Sequence, residues 1–257
     1  SMKGNDVEPP RRDLRLEALT KLLNQELFIH SHCYRADEIL MLLRVAETHG
    51  MRVWSLQHVL EGYKVAPEIA RHGASCSTFA DHWGYKVEAF DATPYNAWLL
   101  QQAGANVVIK SDFPVVRVPL TIEAAKTMRY GLSETSALQT ITRNPSRELG
   151  IDEEVGTLEV GKMGDLAIFS GHPLNIFSRC EYTIIEGQVH FDRGRQPSTM
   201  TTAAADRSAR PSSATLPDGG ERPGRIAWPP VSERIALTNA VIHPVDTDEV
   251  IEGTLLV

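Results

Sequence analysis

Between Leu27 and Arg143 the chain repeats one unit, a short run of β-forming residues followed by a longer stretch with apolar residues at helical spacing. Strands that alternate with helices pair in parallel and need helical cover, which restricts this region to an α/β sheet or barrel. Four units are read. The first has a strand from Leu27 to His32 and a helix from Ala36 to Thr48, in which Ile39, Leu40, Leu42, Leu43 and Val45 form one stripe before Gly50 ends it. The second has a strand from Arg52 to His58 and a helix from Val65 to His72. The third has a strand from Ala74 to Phe79, the long loop ADHWGYKVEAFDATPYN and a helix from Ala97 to Ala103. The fourth strand, Asn106 to Lys110, leads to Ser111 and Asp112. Helices over Ile122 to Tyr130 and Ser133 to Thr142 follow, with Ser133 placed as an N-cap.

After Pro145 the pattern changes. VGTLEVGK, GDLAIFSG and EYTIIEGQVHF read as short strands of a small antiparallel sheet. Residues 194–232 are rich in Pro, Ser, Ala and Gly and are read as a flexible linker, because such a composition buries too little apolar surface to offset chain entropy. ERIALTNAVIHPVD and EVIEGTLLV then read as two more strands joined by a turn. With 42% hydrophobic and 23% charged residues the chain has an ordinary globular composition. Its 26 basic against 33 acidic residues, without a basic cluster, exclude nucleic acid as a partner. No apolar run approaches a bilayer span and the first residues lack a signal-peptide core, so a soluble protein of unassigned compartment is expected. Three scattered cysteines define neither a disulfide framework nor a cysteine-rich zinc site.

Of the nine histidines, His32 and His58 end predicted parallel strands, and Asp112 ends a third. In barrels of parallel strands those ends converge on one face, where active sites are built. Two neutral imidazoles and a carboxylate there suit Zn²⁺ or a similar divalent ion, which leaves a position open for water. His30 shares a strand face with His32, so HSH can be read as a ligand pair; the preferred reading makes His30 a supporting residue. His49, His72, His82, His172, His190 and His243 lie on helix ends, loops or late strands and are read as structural.

These strings, FIHSHCYRADEILMLLRVAE, QHVLEGYK, ASCSTFADHWGYKVEAFDATPYNAWLL and the strand ending in SD, resemble the C-terminal half of a metal-dependent amidohydrolase of the imidazolonepropionase-like branch. TRNPSRELGIDEEVGTLEVGKMGDLAIFSGHPL resembles the stretch in which that family leaves its barrel and completes a small β-sandwich. The resemblance implies the second half of a TIM-type (β/α)8 barrel, strands 5 to 8, followed by sandwich strands. It makes His32 and His58 ligands from the fifth and sixth strands, of one or two metal ions, and Asp112 a ligand from the eighth that also acts as general base. Arg35, Gln57, Tyr63, Lys64, Tyr85 and Lys86 fall in loops that line the family's pocket. Met163 to Asp165 replaces the family's Asp-Ala-Asp in the sandwich.

The expected activity is hydrolysis of a C–N bond in a small-molecule amide, non-peptide or dipeptide-like. The alternative is a barrel scaffold or interaction module without a working metal centre. The family's first-strand His-x-His is missing from this sequence, since His32 and His58 leave room for only one βα unit between them. The chain is therefore expected to be inactive alone, to need the N-terminal half of the barrel or another chain, and to be a fragment of a tandem amidohydrolase. That reading gives a partial barrel over 1–146, sandwich strands over 147–193, the linker over 194–232 and opening strands of a following unit over 233–257. A circular permutation, in which the tail pairs with strands near Thr157 to Phe169, is the rival expectation.

Overall fold

Four parallel strands, β1 (Ile29–Cys33), β2 (Val53–His58), β3 (Ser75–Thr78) and β4 (Val107–Ile109), form one sheet in chain order. They belong to a computed structural model that describes residues 11–112, 119–195, 236–243 and 251–256. Helices α2 (Ala36–Thr48), α3 (Ala66–His72) and α4 (Asn96–Gln102) connect the strands, as the alternating pattern predicts. Ile39 and Leu43 of α2, Ile69 of α3 and Leu100 of α4 pack in one buried cluster with Val53, Leu56, Cys76, Val107 and Ile109 of the strands. Burial of this face is the main stabilising term of the fold, at about 25 cal/mol per Å² of apolar surface removed from water.

The register separates the two faces of the sheet. Leu56, Cys76 and Val107 lie in one row, under the helices. The next row, His32, Gln57, Ser77 and Val108, points the other way because side chains alternate along a strand. This second face carries polar residues. Helix α7 (Arg143–Leu149) brings Glu148 onto it. Ser77 Oγ donates to both carboxylate oxygens, at 2.9 and 2.7 Å, Ser55 Oγ donates to Oε1, and Gln57 Nε2 lies 3.3 Å from Oε1. Trp54 Nε1 donates to the Glu148 carbonyl at 2.6 Å. Burial pushes the Cys33 thiol up to about 12 and raises that of Cys76 as well.

Two more helices, α5 (Leu120–Met128) and α6 (Glu134–Gln139), follow the sheet, and Ser133 Oγ accepts the Ser136 N–H at 3.1 Å as the expected N-cap of α6. Beyond them β5 (Leu166–Phe169), β6 (Cys180–Ile185) and β7 (Gln188–Asp192) make a three-stranded antiparallel sheet. Its β6–β7 turn places Glu186 and Gly187 at φ 50° and 74°, and Asp165 Oδ1 accepts the Glu186 N–H at 2.7 Å. VGTLEVGK, read as a strand, is instead a series of turns, because Gly156 and Gly161 take φ of 101° and 98°, outside any strand conformation. Helices α1 (Leu14–Leu23) and α7 were not foreseen, and the expected boundary between residues 146 and 147 falls inside α7. Of the expected linker, residues 196–232 lie outside the described residues. The two tail strands form as expected, β8 (Ala236–Ile242) and β9 (Ile251–Leu256), and they pair with each other. Among the described residues β5 pairs with β6 and not with the tail.

Candidate active site

The C-terminal ends of β1, β2 and β4 deliver the three residues singled out by position. His32 Nδ1 and His58 Nε2 face each other at 2.7 Å. By strand alternation His58 belongs with Leu56 on the helix-covered face, yet its ring meets His32 on the opposite one. The backbone explains this, because His58 has φ 74° and Val59 has φ 50°. Left-handed conformations at residues other than glycine cost about 1 kcal/mol or more each and concentrate at functional sites. Asp112, just past β4, also has a positive φ, 51°.

His58 is 4% exposed. Burial, then the nearby Lys110 ammonium, lowers its pKa to about 4, against the opposing pull of Asp112. The ring is thus neutral near pH 7, the form that offers a lone pair to a metal ion. Tyr34 stacks on it, with ring centroids 4.6 Å apart and planes 8° from parallel. His58 Nδ1 is buried and lacks a hydrogen bond, with Asp112 Oδ2 3.6 Å away.

His32 and Asp112 therefore approach opposite nitrogens of His58, an arrangement that differs from three ligands pointing at one centre. Two nitrogens bound to one tetrahedral Zn²⁺ stand about 3.3 Å apart, so the two rings must part slightly and Asp112 must swing toward Nε2 of His58. The donor set fits a divalent ion: two imidazoles with facing nitrogens, an orphaned buried nitrogen, and a half-exposed carboxylate at the end of a strand. Among the described residues, Glu134, His172 and His243 are a separate group whose ligand atoms all lie within 4.8 Å of one another.

The remaining expected residues divide by position. His30 is exposed on β1, in register with Ser55. Gln57 lies on the polar face, where its Oε1 accepts from Lys110 Nζ at 3.1 Å. Lys86 Nζ sits 3.5 Å over the Tyr34 ring, and Tyr85, whose pKa burial and Tyr34 push up to about 12, lies beside it. These residues wall the space next to His58. Arg35, Tyr63 and Lys64 have partners of their own. Arg35 pairs with Asp37 at 3.0 Å, and Lys64 pairs with Asp91 at 2.6 Å. The Tyr63 hydroxyl donates to the Asp91 carbonyl at 3.0 Å, so Tyr63 and Lys64 both tie their loop to Asp91.

Sequence reasoning missed Tyr34, Lys110 and Glu148. Lys110 Nζ is 4.0 Å from Asp112 Oδ2 and 5.2 Å over the Phe79 ring, which places a cation beside the carboxylate. Its signal was a lysine ending the apolar run VVI, two residues before Asp112.

Comparison with known proteins finds amidohydrolases. Residues 90–194 match the model of the amidohydrolase family. Amidohydrolase tasK of Hapsidospora irregularis is 27% identical over 186 residues, covering 70% of this chain and 19% of that protein. The imidazolonepropionase of Sphingopyxis alaskensis is 25% identical over 181 residues, covering 61% of this chain and 45% of its own. The crystal structure of an amidohydrolase from Thermotoga maritima superposes with a TM-score of 0.66 at 32% identity, over 72% of this chain and 49% of that one. This chain therefore spans half or less of the length of these relatives.

Proposed function

We propose that this chain, which matches the metal-dependent amidohydrolase superfamily in sequence and in fold, carries one half of the active site of a hydrolase acting on C–N bonds of small-molecule amides, non-peptide or dipeptide-like. The four-stranded parallel sheet is the part of a TIM-type barrel holding strands 5 to 8, and β5 to β7 belong to the sandwich beside it. His32, His58 and Asp112 hold the metal, for which two imidazoles and a carboxylate favour Zn²⁺. A divalent ion bound there supplies Lewis acidity toward the scissile carbonyl and makes water a better nucleophile near neutral pH.

The observation that carries this reading is the pair of facing nitrogens, His32 Nδ1 and His58 Nε2, at the ends of neighbouring parallel strands. The chain's own residues then have distinct tasks. Asp112 takes the proton of the attacking water as the C–O bond forms and returns it to the nitrogen as the C–N bond breaks. Lys110, with its ammonium 4.0 Å from Asp112 Oδ2, places a positive charge beside that carboxylate. Tyr34 and Phe79 flank His58, with Phe79 centred 5.5 Å from it, and exclude water from its ring. The missing strands of the barrel, from the same longer polypeptide or from a partner, supply the rest of the site.

The test is the metal content of the chain and of His58→Ala and Asp112→Ala. Loss of about one equivalent in His58→Ala is expected, from the loss of a ligand. Hydrolysis of a panel of cyclic amides and dipeptides is expected only when the chain is joined to strands that close the barrel. Equal metal content in all three proteins removes the metal centre and leaves the barrel as a scaffold.

A further inference from the structure

His172 and His243 have no role in the chemistry above. Glu134 is the first residue of α6, His172 follows β5, and His243 follows β8, so three separate parts of the chain meet. One ligand atom from each lies within 4.8 Å of the others. His172 Nε2 is 2.9 Å from Glu134 Oε1, and the His172 and His243 rings meet edge to face at 4.8 Å.

We infer that Glu134, His172 and His243 form a second divalent-cation site, one suited to Zn²⁺, which fastens the β8–β9 pair to the body of the protein. Two imidazoles and one carboxylate are a complete protein donor set for a four-coordinate zinc ion with one open position. Donor atoms around such an ion stand about 3.3 Å apart, so rotamer adjustments of an ångström or so close the site. The orientation of His172 is the second observation. Its Nε2 is buried and, although the carboxylate is near, makes no aligned hydrogen bond. An ion pair alone would turn the ring onto the carboxylate. The Leu174 N–H donates to His172 Nδ1 at 3.2 Å, so a cation at Nε2 moves the ring proton to Nδ1 and displaces that bond. One weak hydrogen bond is exchanged for metal ligation.

The site is independent of His32, His58 and Asp112, and the experiment keeps the two apart. The untagged chain and a His32→Ala/His58→Ala variant are equilibrated with Zn²⁺ near neutral pH, freed of excess by gel filtration and analysed for metal. The double variant is expected to retain about one equivalent, which is lost when either His243→Ala or Glu134→Gln is added. Circular dichroism checks that the double variant, which loses the buried His58, and the variants built on it remain folded. With Co²⁺ the double variant is expected to show the visible absorption of a tetrahedral site, absent after His243→Ala. Zn²⁺ is expected to slow hydrogen exchange in β8 in the wild-type chain and not in His243→Ala. A double variant that holds no metal, metal insensitive to both added substitutions, or exchange in β8 that ignores Zn²⁺ overturns the inference.

Discussion

The two faces of the four-stranded sheet are built from the same strands, one residue out of step, and they do opposite work. On the helix-covered face Leu56, Cys76 and Val107 meet Ile39, Ile69 and Leu100, all apolar and fully or almost fully buried. On the other face Ser55, Ser77, Gln57 and Lys110 form a polar chain running from Glu148 to Asp112. The first face tolerates no water and needs no specific partner beyond shape. Each member of the second needs its neighbour, because a buried polar group left unpaired costs about 1–3 kcal/mol. One face supplies stability, and the other uses part of it to hold a functional constellation.

The contrast can be broken at its strongest point first. Leu56→Ala removes a fully buried side chain and is expected to cost about 3 kcal/mol, read as a lower denaturant midpoint, while folded protein keeps its metal content. Glu148→Ala leaves the Ser55 and Ser77 hydroxyls without their acceptor and is expected to cost about 2 kcal/mol in the same measurement. Glu148→Gln, which retains one acceptor, should cost less. If Glu148→Ala is neutral, the polar face does not depend on its network.

The acid side sharpens the comparison further. His58 has a pKa of about 4 in the folded chain against 6.5 when free. The unfolded chain therefore binds more protons between those values, so stability is complete above pH 6.5 and is lost as pH falls toward 4. The slope from this one group is at most about 1.4 kcal/mol per pH unit. Denaturation followed across that range should show it, and His58→Gln should flatten it. The smallest effect is expected from Lys110→Met. It removes the cation that helps hold His58 neutral, shifts the His58 titration to higher pH, and changes stability near neutral pH by about 1 kcal/mol or less. Histidine proton shifts in NMR read that titration directly.

The sheet was legible because each strand is a short β-forming run and each following helix carries a stripe, as in Ile39, Leu43 and Ala46 of α2. The ends of β1, β2 and β4 were legible for the same reason. Parallel strands put their C-termini on one side, so residues far apart in sequence could be placed together without contact information. The turn of the His58 ring was not legible, since the left-handed φ that swings it across the sheet continues into Val59, a β-branched residue that rarely adopts such a conformation. Helix α7 escaped because it is only seven residues long and Pro145, which a first helical turn tolerates, reads as the break between two patterns. Glu148 was hidden with it. His172 and His243 were passed over because one lies in a loop and the other after a late strand, and nothing in either surrounding sequence points to Glu134.

The three thiols fall into two kinds with a practical consequence. Cys33 on β1 and Cys76 on β3 lie under the helices, buried and poorly ionised, whereas Cys180 is partly open to solvent at the start of β6. An alkylating reagent should therefore modify Cys180 rapidly and the other two only when the helical layer lifts from the sheet. The native chain thus carries its own clock for that opening, timed by the modification of a pair of interior sulfurs.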